Sequence, residues 1–432
     1  MNDSIPVDAI NRAGRLVGTS TTVGFNHLLE KLKSLAAPED CFDDDFFREN
    51  AGLIFETVND LKGVPLKVIQ VLSLDHEILP ESSVSTLSQS HHSVSPLPYS
   101  KIWESFVRSF NRSPDEIFET FSEKAQCAAS IGQVHKATFN GHDFAVKIKY
   151  PGIETTFESD LKYVKPLLSL IGFPRKTAQS FINEISERLH EEADYQFELR
   201  RSAEISTACC GNIENVEFAQ YYPDVSSNEI LTMDWLPGIP LDQFAAAEED
   251  QQIRDQIGQA LWDFTLYQIQ ELQLFHADPN PGNYLVHNGK LQVLDFGCTK
   301  QMDKDSFRKQ FEPLRPGVLD SEKQLAAALQ NLTEDFSSEE HYSIFATVGK
   351  EVVEILSRPF RADVFDFGDP DFIQDVFGIH HTFSKDPLLR RGLGFSSSPD
   401  AVFLSRTWLG LYRLLARIGA RVRVDLPEWM ND

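Results

Sequence analysis

Apolar positions in the first hundred residues recur at helical spacing. Leu28, Leu29, Leu32 and Leu35 form one such stripe, and Phe46–Leu72 repeats the pattern with Pro65 as an expected kink. Glu81–Ser100, rich in Ser, His and Pro, reads on composition as a linker. From Ala128 the period changes. Val134–Phe139 and Phe144–Tyr150 flank Asn140-Gly141, the strongest short signal for a hairpin. In the second strand Phe144, Val146, Ile148 and Tyr150 share one face, which puts Lys147 on the other beside Ala145. A cation between apolar neighbours calls for an anionic partner.

Residues 179–205 read as one long helix, with Ile182, Ile185, Leu189 and Phe197 as its apolar stripe. It carries the acidic run EEADYQFE (191–198), in which Asp194 and Glu198 are expected to share a face and Glu192 to lie on another. Glu229–Trp235 reads as a strand, and Leu236-Pro237-Gly238 interrupts the chain at an expected lobe boundary. Arg254–Leu272 is a second strong helix. The chain after Asp295 reads as helical, with Pro-bearing turns at Pro313, Pro359 and Pro387.

Composition narrows the function classes. A net charge of −25 argues against nucleic acid as a partner, because phosphate contacts need clustered Lys and Arg. The five cysteines show no C-x-x-C spacing, which suits a reducing compartment. Met1–Ile10 has no basic segment ahead of an apolar stretch, and no window approaches the ~20 apolar residues of a membrane span. A cytoplasmic placement is the expectation.

The chemistry concentrates in HADPNPGNYLVHNGKLQVLDFG (276–297). His276, Asp278 and Asn283 fit His-x-Asp-x4-Asn, and Asp295-Phe296-Gly297 follows; this is the catalytic-loop and metal-loop pair of kinase-fold phosphotransferases. A carboxylate near a transferring phosphate accepts a hydroxyl proton or orients water, which suits Asp278. Mg2+ prefers oxygen ligands and keeps several positions for phosphates, which suits Asn283 and Asp295. In such a fold Lys147 contacts nucleotide phosphates and pairs with a helix carboxylate, either Glu198 or Glu192. The phosphate-loop position reads Ala128-Ala129-Ser130-Ile131-Gly132, where small side chains let backbone N–H groups approach phosphates. His276 is expected to hold the loop in shape, and His91-His92 reads as loop and not as a metal site.

Taken together, these residues resemble the UbiB/AarF (ADCK-type) atypical kinase-like family from about Leu61 to about Lys300. AASIGQVH (128–135) is similar to its Ala-rich loop, AVKIKYPGI (145–153) to its lysine strand, EEADYQFE to its E-x-D helix and LTMDWLPG (231–238) to its hinge. LKGVPLKVIQVLS (61–73) resembles the K-x-G-Q motif of its N-terminal extension, with Lys67 and Gln70 kept and Ile69 where the family has glycine. The resemblance also implies helix in Glu81–Ser100, against the linker reading.

The resemblance implies an α+β, atypical protein-kinase-like two-lobed fold. It comprises a helical extension (1–120), an N-lobe (121–236) and a mainly helical C-lobe (237–432). It implies ATP or ADP with Mg2+ as cofactors, and ATPase or small-molecule phosphotransfer rather than protein phosphorylation. Lys67 would contact Glu192 or Asp194 and restrict entry to the site. A lipid or quinone-precursor ligand, a role in ubiquinone or isoprenoid-lipid metabolism and peripheral membrane contact are further implications. Rival readings are an aminoglycoside- or choline-type small-molecule kinase, a protein kinase (disfavoured by the lack of an Ala-Pro-Glu anchor) and a nonenzymatic nucleotide-binding scaffold.

Overall fold

The computed structural model describes residues 97–128, 131–158, 161, 175–276, 279–315, 317–318, 320–332, 339–385, 399–425 and 427. In order these form α1 (Tyr99–Phe110), β1 (Thr120–Phe121), β2 (Cys127–Ala128), β3 (Gly132–Phe139), β4 (His142–Lys149), α2 (Arg175–Ala193) and α3 (Tyr195–Cys209). There follow β5 (Val216–Phe218), β6 (Ile230–Asp234), β7 (Ile239–Pro240), α4 (Leu241–Ala247), α5 (Gln251–Gln270) and β8 (Leu274–His276). Next come β9 (Tyr284–His287), β10 (Lys290–Val293), β11 (Thr299–Gln301), α6 (Lys304–Phe311), α7 (Glu322–Asn331) and α8 (Glu339–Ser357). The remainder is β12 (Val364–Asp366), α9 (Pro370–Lys385), α10 (Pro399–Ile418) and β13 (Arg421–Arg423). Helices and mostly antiparallel strands make this an α+β fold, as the sequence implied. Two compact units emerge: the described residues of Met1–Arg200 with Tyr221–Trp235, and those of Arg201–Gln220 with Leu236–Asp432.

The first unit is built on an antiparallel sheet in the order β1-β3-β4-β6, with β2 also paired to β3. Its hairpin turns where the sequence predicted. Asn140 (φ 51°) and Gly141 (φ 73°) both adopt positive φ, the type I′ geometry whose twist matches the strands it joins. Phe144, Val146 and Ile148 are buried on one face of β4, and Phe144 joins Phe118, Phe106 and Phe121 in an aromatic cluster that fastens α1 to the sheet. Each such side chain contributes roughly 1.5–3 kcal/mol when fully buried. Tyr99 and Ser100 start α1 and so are helical, as the resemblance implied; most of Glu81–Ser100 lies outside the described residues, as does all of the K-x-G-Q-like segment.

One expectation for this unit fails. The predicted helix 179–205 is two helices, broken at Asp194. Asp194 leaves the helical path, its N–H still bonded to Glu191 O (3.1 Å), and its side chain accepts from Phe197 N (2.9 Å) to start α3. A capping aspartate satisfies a donor that the first turn would otherwise leave open. Asp194 is therefore exposed while Glu198 is buried, so the two do not share a face.

The second unit centres on α5, capped by Asp250, whose side chain accepts from Gln252 N. Burial of Ile257, Leu261, Phe264 and Ile269 places α5 in a core with Phe275, Phe296, Phe307, Trp408 and Tyr412. A second Asn-Gly hairpin, Asn288 (φ 48°) and Gly289 (φ 73°), joins β9 to β10 within a sheet of order β5-β10-β9-β7. The region after Asp295 is not purely helical: β11 pairs with β8, and β12 with β13. At three residues each, these strands are too short for alternation to reveal. Pro313 and Pro359 sit in short 3-10 turns as expected, and Pro387 lies outside the described residues. Among the described residues, no helix is long and apolar enough to cross a membrane.

Candidate active site

In the first unit, β4 presents Lys147 on the face away from Phe144, Val146 and Ile148, opposite Val134 of β3 and Leu231 of β6. Its ammonium donates to both carboxylate oxygens of Glu198, at 2.9 and 3.0 Å. Both residues are buried, Glu198 to 1% exposure. The alternative left open by the sequence is thus resolved for the ion pair: Glu198 faces Lys147, while Glu192 is half-buried near the end of α2. Glu198 also lies in the first turn of α3, where the helix dipole favours a carboxylate.

Two neighbours escaped the sequence reading. The ring of Tyr195, the first residue of α3, is fully buried, with Lys147 Nζ 5.2 Å and Lys149 Nζ 5.5 Å from its centroid. The i, i+2 spacing of Lys147 and Lys149 already placed both on one strand face. At the head of β3, Gly132 is buried against Ile148 O and the Tyr195 hydroxyl, where a Cβ would lie 2.5 and 2.9 Å from them. Glycine is required there by close approach. Ala129 and Ser130 fall outside the described residues, as does the side chain of Ala128.

The second unit carries the candidate oxygen ligands Asn283 and Asp295. Asn280 accepts from Gly282 N (2.9 Å) and from Asn283 N at its carbonyl (3.0 Å), shaping the 3-10 turn Pro281–Asn283 that leads into β9. Leu294 N then donates to Asn283 O (3.0 Å), so Asn283 and Asp295 both lie at the open end of the β9–β10 hairpin. Asp295 Oδ1 accepts from Gly297 N (2.7 Å), and Phe296 is locked in the core beside Phe218 and Phe264. His276 Nε2 lies 2.8 Å from Asp295 O; because a carbonyl only accepts, Nε2 carries the proton. Thr407 holds the His276 carbonyl in turn (3.0 Å). His276 thus ties the end of β8 to the Asp295 backbone. Asp278, Lys67 and Gln70 lie outside the described residues.

The donor set fits Mg2+. An amide oxygen and a carboxylate are hard ligands, and among the described residues no cluster of three or more His, Cys, Asp or Glu offers an all-protein cage. Such a pair suits an ion completed by phosphates and water.

Comparison with known proteins gives the family. The ABC1 atypical kinase-like domain matches residues 89–328. The chain is 25% identical over 441 residues to the "Atypical kinase COQ8, mitochondrial" of Saccharomyces cerevisiae, covering 98% of this chain and 84% of that protein. It is 26% identical over 337 residues to the "Probable serine/threonine-protein kinase abkA" of Dictyostelium discoideum, covering 73% of this chain and 60% of that one. A chloroplastic relative from Arabidopsis thaliana is 28% identical over 242 residues, and this chain spans 32% of its length. The solved structure of Rv3197 with erythromycin, from Mycobacterium tuberculosis, superposes with a TM-score of 0.61 at 22% identity, over 88% of this chain and 94% of that one. That likeness shows the kinase-like fold alone. With a domain match over more than half its length and relatives along nearly all of it, the chain belongs to the ABC1 atypical kinase-like family, the UbiB/COQ8 group.

Proposed function

We propose that the chain is a Mg-dependent ATPase or small-molecule phosphotransferase, with Lys147 as its phosphate-binding lysine and Asp295 as a metal ligand. The observation that carries this reading is the buried Lys147–Glu198 pair. Burying two opposite charges gains little stability over an apolar pair, so its presence speaks for a role with an anionic ligand. Glu198 orients Lys147, whose ammonium meets the phosphates. Asn283 and Asp295 would hold Mg2+, which supplies charge neutralisation at the phosphate oxygens. Asp278 positions water or an acceptor hydroxyl, and backbone N–H groups of 128–132 approach the phosphates. The extension (1–120), through Lys67, Gln70 and the acidic pair Glu192 and Asp194, limits what can enter. The resemblance to the UbiB/AarF family makes a lipid or quinone-precursor acceptor, and a place peripheral to a membrane, the first to test.

The test is thermal shift with ATP and ADP, with and without Mg2+, on the wild type, Lys147→Ala and Asp295→Asn. Metal-dependent stabilisation lost in both variants supports the site, and turnover with added phenolic quinone precursors then defines the acceptor. No shift at millimolar nucleotide would sink the enzymatic reading and favour a scaffold.

A further inference from the structure

Lys149 is the second buried cation of β4, at 7% exposure, and the proposed chemistry gives it no task. Its carboxylate partner, Glu154, has a side chain 52% exposed, a poor reason to take an ammonium out of water. Its other partner is the backbone: Nζ donates to Ala193 O at 2.7 Å. Ala193 is the last residue of α2, where carbonyls lack intrahelical partners and the helix dipole favours a cation.

The position of that carbonyl matters because the next residue is the break. Asp194 leaves the helix, caps Phe197 N with its side chain and accepts from Glu198 N with its carbonyl (2.9 Å). Glu198 then meets Lys147 one turn into α3. Four residues separate Ala193 from Glu198, and only about 4.5 Å of helix rise runs from Tyr195 to Glu198, so an error at the break reaches the carboxylate almost undamped. Tyr195 stands between, its ring against both ammonium groups.

We propose that Lys149 is a positioning residue for Glu198: by gripping the Ala193 carbonyl it fixes the break between α2 and α3, and with it the line along which Glu198 reaches Lys147. The inference rests on the reading of Lys147 as the phosphate-binding lysine. Lys149 itself does not touch nucleotide; its effect on affinity runs through Glu198.

That route is measurable by a double-mutant cycle on nucleotide affinity, read by fluorescent ADP binding with Mg2+ on the full chain. Lys149→Met and Glu198→Gln are each expected to weaken binding about tenfold. The pair Lys149→Met/Glu198→Gln is expected to bind no more weakly than Glu198→Gln alone, and Lys149→Arg to recover most of the loss. Additive losses in the double variant would show that Lys149 acts by another route and would overturn the proposal, as would unchanged affinity in Lys149→Met. If Lys149→Met shows no cooperative thermal transition, Lys149→Gln, which keeps a donor for Ala193 O without the charge, takes its place with the criterion reversed: affinity near wild type is expected, and a tenfold loss additive with that of Glu198→Gln would overturn the proposal. A wild type that binds no nucleotide, or Lys147→Ala binding as well as wild type, would instead overturn the site reading on which the inference stands.

Discussion

Replacing Lys147 by methionine leaves the Glu198 carboxylate buried at 1% exposure without the ammonium that lies 2.9 Å away. Breaking a buried pair from one side costs about 3–5 kcal/mol, since the surviving charge keeps its desolvation penalty. For a domain of roughly 150–250 residues each kcal/mol moves Tm by about 2–4 °C, which puts the loss at about 6–20 °C. Glu198→Gln is expected to cost less. Gln still offers an oxygen to Lys147, whose Nζ keeps the face of the Tyr195 ring at 5.2 Å, an interaction worth roughly 0.5–2 kcal/mol. Removing both charges reverses the sign of the argument. Lys147→Met with Glu198→Leu leaves no charge behind, and an apolar pair of similar volume is neutral or more stable. The expected pattern is two destabilised single variants, a double variant near the wild-type Tm, and no nucleotide response in Lys147→Met or the double. Differential scanning fluorimetry with and without Mg-ADP measures both properties together. A double variant as unstable as Lys147→Met would refute the reasoning, because the pair would then be contributing stability rather than consuming it.

Three further outcomes follow from the same region. Gly132→Ala puts a Cβ 2.5 Å from Ile148 O and 2.9 Å from the Tyr195 hydroxyl, so a loss of about 1–3 kcal/mol is expected in the urea midpoint; a change under a few tenths would contradict this packing. Asp194→Ala removes the acceptor for Phe197 N and should cost about 1 kcal/mol, with Asp194→Ser keeping most of it; equal stabilities for the two would remove the capping role. His135 is fully buried, with Nδ1 2.6 Å from Ser122 O and Nε2 2.7 Å from the Gln133 amide that holds Leu97 N, and burial pushes its imidazole below the ordinary value of 6.5. The unfolded chain takes up that proton first, so this contribution is complete above pH 6.5 and fades as pH falls toward the folded value. Tm measured between about pH 7 and 5 should fall less steeply in His135→Gln than in the wild type, and parallel slopes would exclude His135 as the cause.

Some of this arrangement was legible because it is local. Asn140-Gly141 needs positive φ at both positions, so dipeptide and hairpin are nearly one statement. Strand alternation put Lys147 on the face opposite Phe144 and Val146, and the motif spacing singled out Asn283 and Asp295, which the structure finds at one end of a short hairpin. What the sequence left open was the choice between Glu192 and Glu198. A continuous 3.6-residue period across 179–205 sets a helix phase that is wrong beyond Asp194, because the break rotates α3 relative to α2. The signal for that break was present in Asp194 itself, a good capping residue, but an acidic run masks any one aspartate. Lys149 went unread for a different reason. Its buried partner is the carbonyl of Ala193, and a backbone acceptor leaves no mark on residue types.

The two lysines also explain each other. The chain has 65 acidic residues for 40 basic ones, so lysines have no shortage of solvent-exposed partners, and burying two of them on one strand face is not forced by composition. Positions i and i+2 lie about 6.6 Å apart, where like charges repel by roughly 2.5 kcal/mol at an effective dielectric of 20. Left with one carboxylate between them, Lys147 and Lys149 would compete for it, and Glu198 would settle between the two. The structure divides the partners instead: both oxygens of Glu198 go to Lys147, while Lys149 takes Glu154 and the Ala193 carbonyl. A bidentate carboxylate fixes the ammonium in direction as well as in charge, which a shared one would not do. The second lysine with its own partners is therefore a condition for the first to point one way.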